Sequence, residues 1–233
     1  MRRLYLYRKS KKRYTDACRF AIIAILFREV CMTETLKKAI AAGLAITIGA
    51  AVYTSLENKI AGAILFSLGL FLICSFGWNL FTGKIGYVFA NKNQPNVFVI
   101  WLGNLIGTVA GSGALRIARP VLHDTAAAMT QTKLSMPYVS VFLAAVFCGI
   151  LMYAAVENFR KNPNSASGIF GIVFCVSVFI LAGFEHSIAD MCYFVIGVES
   201  AAEALKALVF VLVVSCGNAC GSWLIRWLSG SLA

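Results

Sequence analysis

Six apolar stretches, at about 38–56, 60–90, 96–118, 137–157, 168–197 and 203–228, account for nearly the whole chain. Each meets the roughly 20 mostly apolar residues that a helix needs to cross a bilayer. With 60% hydrophobic and 13% charged residues and a mean hydropathy of +0.79, a chain of 233 residues carries more apolar surface than a soluble domain can bury. Lipid must solvate the remainder. The expected fold class is therefore an all-α membrane protein of six transmembrane helices, with no room left for a soluble catalytic domain.

The formal charge of +11 is concentrated at the start. Residues 1–31 hold nine Lys or Arg against Asp16 and Glu29, so +7 falls there and +4 on everything after. A juxtamembrane basic segment held in the cytosol explains this better than nucleic-acid binding. The run Phe20 to Phe27 is too short, and lacks a small-residue cleavage pattern, for a signal peptide. Residues 1–31 read either as a basic cytosolic tail or as an extension upstream of a start at Met32, where Thr33 or Thr35 can cap the first helix of a channel domain over 32–233.

Two apolar stretches are broken in their middles, in corresponding halves of the chain. The first breaks at Gly77, Asn79, Thr82 and Gly83; the second breaks at Gly183, Glu185, His186 and Ser187. Each is followed by a span carrying G-N-x-x-G, at Gly103, Asn104, Gly107 and at Gly217, Asn218, Gly221. Non-helical backbone survives at membrane depth only where protein or an aqueous cavity covers it, so paired breaks point inward to a pathway. The glycines suit close helix packing, whereas the amides of Asn104 and Asn218 need polar partners in the bundle interior.

These residues resemble the formate/nitrite transporter family, which includes formate, nitrite and hydrosulfide channels. "FSLGL" with "CSFGWNLFTG" is similar to the family's first broken helix, and "GFEHSIADM" to its second. The resemblance covers about residues 37–228. It implies an aquaporin-like protomer of two inverted halves with two broken helices, a pore through each protomer, and assembly as a homopentamer. It also implies that His186 is a central pore histidine faced by Thr82. Phe66 and Phe179 resemble an outer constriction, Leu70, Leu80 and Phe81 an inner one, and Val156 falls near the pore. Three positions depart from the family pattern: Tyr153 stands for a common Asn, Asp190 for another, and Lys133 lies near a vestibule lysine with a spacing to Gly149 that does not match.

The chemistry that follows is passage of small monovalent weak-acid anions, not catalysis. Dehydrating a bare anion costs tens of kcal/mol in the idealised limit, whereas a weak acid lowered into a dry constriction favours taking up a proton. His186 could supply a proton or a hydrogen bond, or else be a core histidine holding the loop through Glu185 or a backbone carbonyl. Glu185 reads as a cap for freed N–H groups or a partner of His186, and Thr82 as a substrate contact or a hydroxyl bonded to its own helix. No cofactor is expected, since two histidines and no paired Cys or His spacing speak against metal or haem. A neutral-solute channel is the alternative, although its paired Asn-Pro-Ala loops are absent. The basic N-terminus, Lys92, Arg160, Lys161 and Arg226 fit one cytosolic face of an inner membrane holding both termini; Arg116, Arg119 and Lys133 would lie outside.

Overall fold

The computed structural model describes residues 31–88 and 95–230. The readings placed on residues 1–30 and on Lys92 fall outside the described residues. Helix α1 (Cys31–Ser55) is followed by α2 (Lys59–Ser75), α3 (Phe81–Lys84) with a 3-10 turn at Ile85–Tyr87, and α4 (Val97–Ala118). Then come α5 (Leu122–Leu134), α6 (Tyr138–Lys161), α7 (Ala166–Leu181), α8 (Ser187–Gly197) and α9 (Ala201–Leu228).

Among the described residues, α1, α4, α6 and α9 are long and apolar enough to cross a membrane; α2, α7 and α8 are apolar but shorter. Exposed Ile48, Leu65, Val139, Phe170 and Phe174 face outward, as helices solvated by lipid require. Asn58, Asn96, Ser165 and Ser200 cap the starts of α2, α4, α7 and α9 with their side-chain oxygens. Thr33 and Thr35, the expected caps, both lie in helical backbone, and the Thr35 hydroxyl donates back to the Cys31 carbonyl at 2.8 Å. Hydropathy marks the lipid-buried length of a helix, not its first turn.

The two halves repeat one another, with α5 between them. Helices α2 and α7 end alike, on Gly77 and Gly183 at φ 64° and 70°. Trp78 N donates to Ile73 O and Phe184 N to Phe179 O, each at 2.9 Å, the six-to-one bond that closes a helix behind a left-handed glycine. Helix α4 lies on α1, and α9 on α6, through the G-N-x-x-G glycines. A methyl group on Gly107 would strike the Ile40 carbonyl, and one on Gly221 the Val146 carbonyl. Close backbone approach through glycine is thus what each repeated motif provides first.

Candidate functional site

Each broken helix is pinned by the asparagine of the following span. Asn104 Oδ1 accepts from Phe81 N at 2.8 Å, and its Nδ2 donates to the carbonyls of Asn79 (2.8 Å) and Ala39 (2.7 Å). Asn218 repeats this: Oδ1 accepts from Ser187 N at 3.0 Å, and Nδ2 donates to the carbonyls of Glu185 (2.8 Å) and Ala145 (2.9 Å). Both residues are fully buried. Each amide satisfies the first free N–H of a half-helix and a carbonyl in the break two residues before it, groups that breaking a helix orphans. With both donors occupied by backbone, Asn104 and Asn218 position the site.

The pinned segments bring Thr82 and His186 together, at 2.8 Å between Oγ1 and Nε2. His186 caps α8, its Nδ1 accepting from Ala189 N at 3.1 Å. That bond fixes the tautomer. With Nδ1 as acceptor the ring proton sits on Nε2 and is donated to Thr82, whose own hydroxyl hydrogen finds no acceptor among the described residues. The imidazole stacks on Phe179 (5.5 Å, 24°), and Phe179 meets Phe66 edge-on (6.1 Å, 90°). Leu70 and Leu80 are buried on the other side, and Val156 presses on Gly83.

A cavity lies on either side of this contact. The larger, about 730 Å³, is lined by Tyr53, Lys133, Phe179, Glu185, His186 and Asp190 among others. The smaller, about 250 Å³, is lined by Leu70, Trp78, Leu80, Lys84, Val156 and Arg160. They sit at opposite ends of α2, a helix of 17 residues and so about 25 Å long. Phe66, Phe81 and Thr82 line neither cavity and lie in the wall between them.

Glu185 departs from its expected role. Its carboxylate neither caps a helix nor pairs with His186; it pairs with Lys133 of α5, which also reaches Asp190 Oδ1 at 3.0 Å. All three side chains are largely buried, and Asp190 Oδ2 has no hydrogen-bond partner among the described residues. Burial opposes the Lys133 charge, but the two carboxylates outweigh it and hold the ammonium above its ordinary pKa. The spacing to Gly149 hid this lysine. Two carboxylates in an apolar segment were the available signal, because a buried charge needs a partner.

Two further residues sit apart from the meeting point. Tyr153, read as an altered pore contact, lines neither cavity; its ring lies 5.4 Å from that of Tyr87 and packs against Gly86. Tyr87 donates to Glu157 at 2.6 Å, and Glu157 also receives Arg160 in a two-pronged pair and Lys161 at 3.2 Å. Nothing in the linear pattern marked Glu157, whose partners converge only once the half-helix folds back.

The family model described as formate/nitrite transporter matches residues 29–229. The chain belongs to the formate/nitrite transporter family. Its relatives include a Haemophilus influenzae protein named formate channel FocA, 24% identical over 70% of this chain and 66% of that protein. Another is the Escherichia coli nitrite transporter NirC, 29% identical over 75% and 71%. The matched stretch thus spans about two thirds of these relatives' length. Among solved structures, a pentameric formate channel with formate bound superposes with a TM-score of 0.74 at 23% identity, over 86% of this chain and 96% of that one. An FNT family ion channel gives 0.73 at 21%, over 93% and 95%. These likenesses carry the fold, and membership makes this formate/nitrite transporter family protein a multi-pass membrane transport protein.

Proposed function

We propose that this protein is a channel for small monovalent weak-acid anions such as formate, nitrite or hydrosulfide. The route runs between the two cavities, past Phe66 and Phe179 on one side and Leu70, Leu80, Phe81 and Val156 on the other. In this reading α2 with α3, and α7 with α8, complete the fifth and sixth crossings, and the two halves run in opposite senses through the membrane. The partners are four further copies in a homopentamer, the surrounding lipid and the anion itself. The Lys84 and Arg160 side faces the cytosol with both termini, and the Lys133 side faces outward.

One observation carries the proposal: the contact of 2.8 Å between Thr82 and His186, walled by apolar side chains and flanked by a cavity at each end. A weak-acid anion entering such a constriction is dehydrated and driven toward its neutral acid. The tautomer limits what His186 can do there. Nδ1 is committed to Ala189 N, and giving up the Nε2 proton would leave an imidazolate, so the ring hydrogen-bonds and orients the Thr82 hydroxyl toward the solute. The proton reaches the anion from the vestibule water. Flux of nitrite and formate into proteoliposomes across pH tests this: His186→Phe should lower it at least tenfold, and unchanged flux and pH response would refute it. Native mass spectrometry of the purified protein tests the pentamer.

A further inference from the structure

The two cavities flanking the Thr82–His186 contact differ in charge. On the larger side Lys59 and Lys133 are matched in number by Glu185 and Asp190, and the Lys133 ammonium is lodged between the two carboxylates, so the charged lining offers an incoming anion no surplus of positive charge. On the smaller side the balance is reversed. Arg160 is committed to Glu157 at 2.9 and 3.0 Å, but Lys84 has no carboxylate partner among the described residues. Its cavity is otherwise built largely from Leu70, Ile73, Leu80, Val156 and Phe159.

Resting on the reading under Proposed function, we propose that Lys84 is the residue that captures the anion, in the cavity of about 250 Å³ beside Trp78 and Arg160. A half-buried ammonium with apolar walls and no carboxylate among the described residues to pair with carries an unmet desolvation cost, and a small monovalent anion is the species that meets it. A lysine merely reaching out from the end of a span would lie beyond its last buried turn. Lys84 is followed by buried Ile85, Gly86 and Tyr87, so it stands within the wall. It also lies two residues along the same half-helix from Thr82, which puts capture directly beside the constriction.

Nitrite flux into proteoliposomes, at fixed ionic strength and over a range of nitrite concentrations, tests the assignment. Lys84→Met should raise the half-saturating concentration about tenfold, the order expected for loss of one charge-assisted contact. Lys84→Arg should stay within about threefold of the unmodified protein by the same reasoning. Should Lys84→Met not assemble, Lys84→Gln gives the same comparison. A neutral variant within about twofold of the unmodified protein overturns the role of Lys84 and leaves the channel reading standing. An unmodified protein that passes neither nitrite nor formate overturns the channel reading and takes this inference with it.

Discussion

Replacing Asn218 with alanine removes three hydrogen bonds at one stroke: from Ser187 N at 3.0 Å, and to the carbonyls of Glu185 at 2.8 Å and Ala145 at 2.9 Å. The side chain is fully buried, so no water replaces it. Each stranded backbone group costs about 1 kcal/mol, at the low end for a buried polar group because polar pairs in bilayers run weak. Three groups then sum to about 3 kcal/mol, and at roughly 2–4 °C per kcal/mol for a chain of this size the midpoint should fall by about 6–12 °C. Thermal unfolding of the detergent-purified protein, followed by intrinsic fluorescence, reads this directly. Asn218→Asp should fall at least as far, since it keeps the acceptor for Ser187 N, loses both donors and buries a carboxylate. An Asn218→Ala midpoint within about 2 °C of the unmodified protein would refute the claim that this amide holds the second broken helix.

Lys133→Met leaves Glu185 and Asp190 buried without their cation, an expected loss of about 3–5 kcal/mol; adding Asp190→Asn should restore part of it in the same melt. Gly221→Ala places a methyl group on the Val146 carbonyl and should cost about 1–3 kcal/mol by forcing α9 away from α6. Gly113→Ala, with open space around the new carbon, should be neutral or stabilising by up to about 1 kcal/mol. Thr82→Val removes the hydroxyl that accepts from His186 and should reduce anion flux about tenfold, the order for one charge-assisted contact, whereas Thr82→Ser should retain most of it.

The sequence made the breaks readable because a glycine followed by polar residues inside an apolar run has only one stable explanation in hydrocarbon. Gly77 and Gly183 end α2 and α7 where expected, and the family resemblance, not the local pattern, is what pairs Thr82 with His186. Asn104 and Asn218 need partners by virtue of being amides in an apolar span, but the carbonyls they satisfy belong to residues from 25 to 73 positions away. Glu185 shows the same gap more sharply. Its partner lies 52 residues back on α5, a helix whose mixed composition gives it no periodic signature.

What the sequence by itself determined is membership of the membrane class, the four long apolar helices and the two points of breakage. These follow from local rules, since each residue meets the same hydrocarbon and each backbone group must find its bond within a turn or two. Only the tertiary structure decided which amide caps which half-helix, that Nδ1 of His186 is spent on Ala189, and that Lys133 is balanced by two carboxylates while Lys84 is balanced by none among the described residues. Those outcomes depend on which side chains arrive at one place after α1 packs on α4 and α6 on α9. A polar group buried in lipid bonds to whatever the fold delivers, and sequence distance carries almost no information about that.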